Sequence, residues 1–389
     1  MSKENPAPKD FGFGEDEAML RDLARKFLDE KLPVEVLREL VAVAPEPIYD
    51  EGQRPRWDEA LWKEIVELGW TGIAVGEGEG GAAISLAGIT GVVEEVGRHA
   101  LPSPLVPTLC ATLVLREAGG EVAKSLLSRI AEGATGTLAL TGERGSWDPS
   151  EPALFARRKG DGLVLDGHAH FVQDAFKADI FIASARLGDD VVLCAVEKGE
   201  AGLGLQADHI HDLTRDQATV HFEGVHADTR AIVSSSALPA LRRAWPGILL
   251  LVAADLCGSS EWQLQTTVEY ARNRKQFDRP IGFFQAVKHP LVDAMVEIDR
   301  ARSLLYHAAC EIDRGSVEAE TAARMAKSAA SDAGAFISDR SIQLHGGIGF
   351  TWECDVHIFF KRSLHNQALY GDGVHHRKKL ADVLIGPIA

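Results

Sequence analysis

Apolar residues lie three or four positions apart over much of the first third of the chain. The segments 16–30 and 57–70 both have this spacing, which places their apolar side chains on one face of a helix. The proline-rich stretch LPSPLVP at 101–107 interrupts the pattern. Residues 1–135 are therefore predicted to form an N-terminal helical domain.

The pattern changes near residue 136. Short runs from GTLALTGE to QATVHFEGV are rich in β-branched and aromatic residues and are separated by Gly and Asp, which predicts a compact all-β domain, a sandwich or a barrel, over 136–236. Helical spacing then returns and predicts a C-terminal helical domain over 237–389. Its helices are expected at about 239–273, 285–313, 317–344, 354–370 and 374–385. The order of helices, strands and helices predicts an α+β protein.

Composition limits the class of partner. The 389 residues carry a formal net charge of −16, so nucleic acid is not an expected partner. The five cysteines are scattered and include no CxxC pair, which favours a cytoplasmic protein without a zinc site or disulfide framework. The longest apolar run, ILLLVAA at 248–254, is too short to cross a bilayer, and the polar N-terminus lacks the apolar core of a signal peptide. No membrane contact and no metal are therefore expected.

Three segments carry candidate chemistry. YARNRKQFDRPIGFFQAVKH at 270–289 places four basic residues beside aromatic ones, which suits a phosphate-bearing ligand but also a solvated helix end. QLHGGIGFTWE at 343–353 has glycines that allow close backbone approach to a ligand, or simply end a helix. ALYGDGVHH at 368–376 holds one carboxylate, Asp372, between two glycines, which is typical of a turn.

Together these motifs resemble the acyl-CoA dehydrogenase family. The matching motifs are RKQF at 274–277, FQ at 284–285, QLHGG at 343–347 and DLTR at 212–215, and the resemblance covers nearly the whole chain. It implies an N-terminal helical domain, a central β-domain and a C-terminal four-helix bundle. It also implies a tetramer in which FAD lies between the β-domain and the C-terminal helices, and in which a neighbouring subunit completes the FAD site.

The resemblance also implies the residues that would bind FAD. Arg274 would contact the pyrophosphate across the subunit interface, with Gln276 and Phe277 beside it. The remaining positions of these motifs that match the family's cofactor site are Gln285, Gln343, Gly346 and Gly347, of which the last three would approach the adenosine diphosphate half.

The expected wall of the flavin ring departs from the family pattern. Thr141 would face the ring, while Phe171, Val172 and Gln173 stand where the family usually has Trp-Ile-Thr. The turn after Thr141 reads GERGSW in place of the usual Glu-Pro-x-Ala-Gly-Ser-Asp. The resemblance thus implies an altered isoalloxazine wall.

The implied reaction needs a base. Family members remove the α-proton of an acyl-CoA thioester and pass the β-hydride to flavin N5, and a carboxylate with a raised pKa takes the proton. The glutamate of the family's Tyr-Glu-Gly-Thr stretch corresponds to Gly371 here, and a second family position corresponds to Ile248. Three alternatives remain open: Asp372 is the base, Asp255 in ILLLVAADLCG is the base, or the chain lacks a base and resembles the members found in mixed heterotetramers.

The implied partners are an acyl-CoA substrate, an electron-transfer flavoprotein, and further copies of this chain or a homologous chain in a homotetramer or heterotetramer. A non-catalytic FAD-binding subunit is the main alternative function. A flavin oxidase or monooxygenase that uses O₂ and a DNA-associated relative are further alternatives, although the charge of −16 opposes the last of these.

Overall fold

The fold is taken from a computed structural model that describes residues 14–42 and 57–386. Residues 1–13, on which the expectation about a signal peptide largely depends, lie outside this range. The helices of the N-terminal part are α1 (Glu15–Lys31), α2 (Val34–Val41), α3 (Glu59–Glu67), α4 (Leu86–Arg98), α5 (Leu105–Ala118) and α6 (Gly120–Ala131). Each predicted helix of this part is present. Leu28 on α1 and Ile65 on α3 are fully buried, as their spacing indicates.

The predicted β-rich segment forms one mixed sheet. Its strands are β1 (Gly136–Ala139), β2 (Leu154–Lys159), β3 (Gly162–Gln173), β4 (Ile180–Leu187), β5 (Asp190–Glu197), β6 (Leu203–Ala207), β7 (Gln217–Ala227) and β8 (Ile232–Ser234). The strand order is β6-β7-β3-β2-β4-β5-β8, and β1 pairs in parallel with β4. The sheet has its own apolar core, built around Phe181, Phe222 and Val220.

The C-terminal part is helical again, as predicted. Its elements are α7 (Leu238–Asn273), a small hairpin of β9 (Lys275–Gln276) and β10 (Arg279–Pro280), α8 (Gln285–Asp313), α9 (Ala319–His345), a short helical turn at Gly346–Phe350, α10 (Val356–Ala368) and α11 (Gly373–Ile385). Helices α7, α8, α9 and α10 pack on one another, and α11 packs on α9. Within the described ranges, every helix is too short or too polar to cross a membrane.

Helices α4 and α7 cross at very short range because both have glycine at the crossing. A Cβ added to Gly258 would lie 1.8 Å from the Glu94 carbonyl oxygen, and one added to Gly97 would lie 2.1 Å from the Asp255 carbonyl oxygen. Only the missing side chains permit this approach. The crossing fixes the middle of α7, and α7 carries site residues near both of its ends.

Candidate active site

A cleft of about 840 Å³ lies where the sheet meets the C-terminal helices. It is lined by Trp147 in the loop after β1, by Trp245 of α7, and by Gly371 and Asp372 between α10 and α11. Several charged side chains of both signs stand around it. A concave site at the boundary between two structural layers is a common place for a ligand.

Four aromatic rings cluster beside this cleft. Tyr370 makes edge-on contacts with Trp147 and with Trp245, at ring-centroid distances of 5.2 and 5.4 Å. Trp147 also contacts Phe171 of β3 at 5.8 Å. The rings come from the sheet, from α7 and from the loop after α10, so they connect the three parts that form the cleft.

Charged groups at the mouth of the cleft include Arg242 of α7 and Lys379 of α11. Neither forms an ion pair with a described residue, whereas Arg324 of α9 is paired with Glu320 at 2.7 Å. Arg242 and Lys379 both help to lower the pKa of Asp148, against the effect of burial and together with hydrogen bonds from Ser150. These two cations are therefore available to an anionic ligand at the mouth.

The expected flavin wall lies on β3, which is irregular at this point. Pairing between β3 and β7 shifts between Ala169 and Val172, and Phe171 has a left-handed φ of 58°. The Phe171 ring projects outward and is 40% exposed, while the Val172 side chain is fully buried in the sheet core. Thr141 lies beside this bulge, and its carbonyl accepts the backbone N–H of His170 at 2.8 Å. Thr141 and Phe171 thus lie next to each other in the sheet.

The side chain of Gln173 is turned away from that wall. Its Nε2 donates to the Phe171 carbonyl at 3.0 Å and to Gln217 Oε1 at 2.8 Å, and its Oε1 accepts from His365 Nε2 at 2.6 Å. Burial lowers the pKa of His365 to about 4, an effect that the charge of Asp212 partly opposes, so the imidazole is neutral near neutral pH. The Gln173 amide holds the bulge in place and links β3 to α10.

Asp372 is the N-cap residue of α11. Its Oδ1 accepts the backbone N–H of His375 at 2.7 Å, and its side chain is exposed at the cleft. Oδ2 has no hydrogen-bond partner among the described residues. Gly371, the position to which the resemblance assigns the family's glutamate, is buried and has no side chain. Asp372 therefore combines a capping role with one carboxylate oxygen that is free to face a ligand.

Asp255 lies in a different environment, at the centre of a buried ion network. Its carboxylate accepts from Arg362 Nε at 2.8 Å and Nη2 at 2.6 Å, from Arg215 Nη2 at 2.6 Å and from Asn366 Nδ2 at 2.7 Å. Burial alone would raise the pKa of Asp255. The charges of Arg362 and Arg215 have the larger effect, so the pKa of Asp255 lies below its ordinary value. A general base at a carbon acid needs the opposite shift.

The second predicted set of cofactor residues lies at the C-terminal end of α7. Arg274, Gln276 and Phe277 occupy the β9–β10 hairpin and are exposed, with Phe277 at 86%. Gln343, Gly346 and Gly347 end α9 close by, because Tyr270 of α7 stacks on His345 at 4.3 Å. Gln285 begins α8 and is also exposed. The structure thus brings this set together on one surface.

The residues around Thr141 and Phe171 lie far from the residues around Arg274 on the same chain. Trp245 adjoins the flavin wall and Tyr270 adjoins the Arg274 surface, and 25 residues of the continuous helix α7 separate them. At 1.5 Å per residue this is roughly 37 Å along the helix. One chain therefore presents the flavin wall and the arginine–glycine surface at separate places.

Comparison with known proteins identifies the fold. The family profile "Acyl-CoA dehydrogenase, N-terminal domain" matches residues 14–134, and "Acyl-CoA dehydrogenase, C-terminal domain" matches residues 250–385. The protein named "Acyl-CoA dehydrogenase IpdE2" from Mycobacterium tuberculosis is 32% identical over 79% of this chain and 81% of its own length. The chain belongs to the acyl-CoA dehydrogenase family. This family consists of FAD-dependent oxidoreductases.

Further relatives cover almost the whole chain. The protein of the same name from Mycolicibacterium smegmatis is 30% identical over 87% of this chain and 94% of its own length. Among solved structures, a chain of the ChsE4-ChsE5 complex from Mycobacterium tuberculosis has a TM-score of 0.86 at 25% identity, and the match covers 98% of this chain and 100% of that one. A chain of the steroid ACAD Tcur3481-Tcur3483 has a TM-score of 0.85 at 29% identity, and the match covers 96% of this chain and 98% of that one. The acyl-CoA dehydrogenase fold predicted from the motifs is confirmed.

Several residues of the site were not predicted from the sequence. Trp147 and Trp245 lack any local motif, and their importance depends on Tyr370, which is more than 100 positions away. His365 and Arg362 of α10 belong to no motif singled out in the sequence, yet both reach buried partners on other elements. Pairings at such separations leave no periodic or spacing signal in a single sequence.

Proposed function

We propose that this chain is a subunit of an FAD-dependent acyl-CoA dehydrogenase that converts an acyl-CoA thioester into a 2-enoyl-CoA. The observation that carries the proposal is the cleft between sheet and helices, which has an aromatic inner wall around Tyr370 and a free carboxylate oxygen on Asp372. FAD bound there would accept the β-hydrogen as hydride at flavin N5. The chain itself would orient the thioester, exclude water and take the α-proton.

The residues present fit FAD in two ways. Gly346 and Gly347 have open space where a Cβ would lie, so a ligand can approach their backbone closely. Arg274 is exposed and forms no ion pair with the described residues, so its guanidinium is available for a phosphate. The Phe277 side chain beside it is left in water, which favours a second surface covering this region.

The distance between the flavin wall and the Arg274 surface supports an FAD site shared by two chains. The flavin wall with Thr141 and Phe171 would hold the ring of one FAD, and the Arg274 surface of a neighbouring chain would hold its phosphates. The roughly 37 Å between Trp245 and Tyr270 on α7 is the argument for two chains per site. A homotetramer or a heterotetramer with a homologous chain satisfies this requirement, and the ChsE4-ChsE5 complex, by its name, contains two different chains.

The substrate would enter at the charged mouth of the cleft. Arg242 and Lys379 are free to pair with the phosphates of CoA, and the aromatic wall around Tyr370 would contact the acyl group. Electrons would then pass to an electron-transfer flavoprotein. We assign the chain to the cytoplasm on the grounds of its cysteine pattern.

Asp372 is the favoured base. Its Oδ2 is free, whereas both oxygens of Asp255 are held by buried guanidinium groups that lower its pKa. Asp372 is not at the expected glutamate position, which Gly371 occupies, and it caps α11. This observation favours a second candidate function, in which the chain holds FAD and the proton is taken by a homologous partner chain.

Exchange of the α-proton separates these two functions. The purified chain is incubated anaerobically with an acyl-CoA in D₂O, and incorporation of deuterium at the α-carbon is followed by mass spectrometry. Asp372→Asn removes the charge but can still cap α11, because the Asn oxygen accepts the His375 N–H. Asp58→Asn, at the N-cap of α3, is the matched control.

We expect exchange by the wild type and by Asp58→Asn, and a loss of at least about 100-fold in Asp372→Asn, within the range usual for a general base. Exchange that persists in Asp372→Asn removes Asp372 as the base. Exchange that requires a co-purified homologous chain supports the second candidate.

A further inference from the structure

Lys327 of α9 is a completely buried ammonium group close to the cleft. Its side chain is 0% exposed, and Nζ donates to the Gly371 carbonyl at 2.8 Å, to the Gln367 carbonyl at 3.1 Å and to Ser331 Oγ at 3.1 Å. Three N–H groups thus meet three neutral oxygen acceptors. Buried lysines are usually paired with a carboxylate, so this arrangement calls for a reason.

The acceptors explain why an ammonium group is tolerated. Gln367 lies in the last turn of α10, where unpaired carbonyls carry partial negative charge and attract a cation. Gly371 lies in the loop that leads from α10 to α11. Lys327 therefore joins α9 to the end of one helix and to the loop before the next.

That loop has an unusual backbone. Tyr370 has φ of 58° and Gly371 has φ of 103°, both left-handed, and a large non-glycine residue such as Tyr adopts this region only when its surroundings enforce it. The neighbouring α9 residue Ser328 holds the other end of the loop, because its Oγ donates to the Gly373 carbonyl at 3.1 Å. The loop thus rests on α9 through two side chains.

We propose that Lys327 is a positioning residue that fixes the Gly371 carbonyl and so sets the loop that carries Tyr370 and Asp372 at the wall of the cleft. The link to catalysis rests on the proposed function of the cleft, while the hold on the loop does not. Loss of the ammonium group would free the Gly371 carbonyl and let Tyr370 leave its left-handed conformation. The aromatic contacts of Tyr370 and the position of Asp372 would then change together.

The stability of the loop on α9 depends on whether Lys327 is protonated. Burial lowers the pKa of Lys327 to about 7, an effect that Asp372 partly opposes. The other titratable groups that face this region are Arg324 and Asp332 on α9 and His375, His376 and Arg377 on α11. Arg324 donates to His376 Nδ1, and burial, followed by Lys327 and Arg324, lowers the pKa of His376 to about 3, so His376 stays neutral. An opened loop would expose Lys327 to water and return its pKa towards the ordinary value, so the closed loop gains stability over the open one as the pH rises above about 7.

Hydrogen exchange of the loop amides tests the proposal. The full-length protein is compared with Lys327→Met, which keeps the length of the side chain and removes the ammonium group. Lys378→Met, an exposed lysine of α11, is the matched control. We expect exchange over residues 369–373 to become roughly 10–100-fold faster in Lys327→Met, the factor that loss of a charged hydrogen bond implies, with little change elsewhere or in the control.

The pH dependence of loop opening distinguishes a positioning lysine from one that only fills space. After correction for intrinsic exchange, opening of the wild-type loop should become rarer as the pH rises, with an onset near pH 7, and Lys327→Met should show no such change. Ser331→Ala provides a second variant if Lys327→Met fails to fold. It removes one acceptor of the ammonium group, which lowers the pKa of Lys327 further, so the onset should move to lower pH.

Unchanged loop exchange in Lys327→Met overturns the proposal, as does faster exchange spread evenly over the protein, which indicates general destabilisation. These measurements need neither flavin nor acyl-CoA, so they remain decisive if the proposed function fails. If the loop loosens while α-proton exchange by the flavin-loaded protein keeps its wild-type rate and pH profile, the positioning role in the reaction is refuted.

Discussion

Replacement of Asp255 by Asn should unfold the protein far more easily without directly removing a catalytic group. The carboxylate accepts four hydrogen bonds from Arg362, Arg215 and Asn366, and both guanidinium groups are almost fully buried. Asn has one oxygen, and its amide nitrogen can only donate, so it would face donors and leave buried positive charge uncompensated.

The expected loss follows from this geometry. Removal of one partner from a buried ion pair costs about 3–5 kcal/mol. With an unfolding entropy of about 2.1 cal/mol/K per residue over 389 residues, a loss of about 4 kcal/mol corresponds to about 5 °C in the melting temperature. The magnitude is large for one substitution because Asp255, on α7, connects the loop before β7 at Arg215 to α10 at Arg362.

Thermal melting and α-proton exchange together provide the assay. Asp255→Asn should melt about 5 °C lower and, at a temperature where it is folded, should retain α-proton exchange. Asp339→Asn, whose side chain is 71% exposed, is the control and should melt with the wild type. An Asp255→Asn variant with wild-type melting and no exchange would refute the structural role and make Asp255 the base.

Three further predictions concern other parts of the molecule. Gly258→Ala should lower the free energy of unfolding by roughly 3 kcal/mol or more in a denaturant titration, since its Cβ would lie 1.8 Å from the Glu94 carbonyl oxygen of α4. Arg274→Ala should weaken FAD retention roughly 10–100-fold, measured as flavin absorbance per protein after dialysis, because a charged hydrogen bond to phosphate is lost. Lys327→Met should remove the increase in stability that the wild type shows as the pH rises. Between pH about 7 and 10.5 the unfolded wild type binds the proton that the folded state has released, so wild-type stability rises relative to the variant, by up to about 4–5 kcal/mol.

Two of these predictions have a matched control variant, and the third has a clear contradicting outcome. Gly78→Ala meets open space and should cost little, so equal losses at Gly78 and Gly258 would contradict the close crossing of α4 and α7. Arg272→Ala, an exposed arginine of the last turn of α7, should retain FAD, and equal loss in both variants would indicate a general charge effect. Parallel pH curves for the wild type and Lys327→Met would show that the buried lysine keeps its ordinary pKa.

Local patterns predicted much of the fold. The helix expected at 239–273 is α7 (Leu238–Asn273), and the one at 285–313 is α8 (Gln285–Asp313), because long helices with one buried face leave a clear periodic signal. The β-rich runs after residue 136 contain β1, β3, β4, β5 and β7, whereas β2, β6 and β8 lie outside them. Their order, with β1 joining β4 in parallel, could not be predicted because pairing partners leave no mark on either strand alone.

The candidate site was predicted less completely. Contiguous motifs located Arg274 and Gly346, which the structure places on one surface through the stacking of Tyr270 on His345. The sequence also drew attention to Asp255 as an acid in an apolar run, but its purpose depends on Arg362, 107 positions away. Lys327 gave no signal, since a lysine in a helix is usually at the surface and its burial depends on how α9 meets the loop after α10.

The most direct test of the proposed function is anaerobic reduction of the bound flavin. The purified chain, alone and with any co-purifying homologous chain, is mixed with a panel of acyl-CoAs, while the absorbance of oxidised flavin and the formation of 2-enoyl-CoA are followed. The proposed function predicts that the protein holds FAD, that at least one acyl-CoA bleaches it, and that one 2-enoyl-CoA forms for each flavin reduced. A protein that holds no FAD, or whose flavin stays oxidised with every acyl-CoA in both preparations, would contradict it.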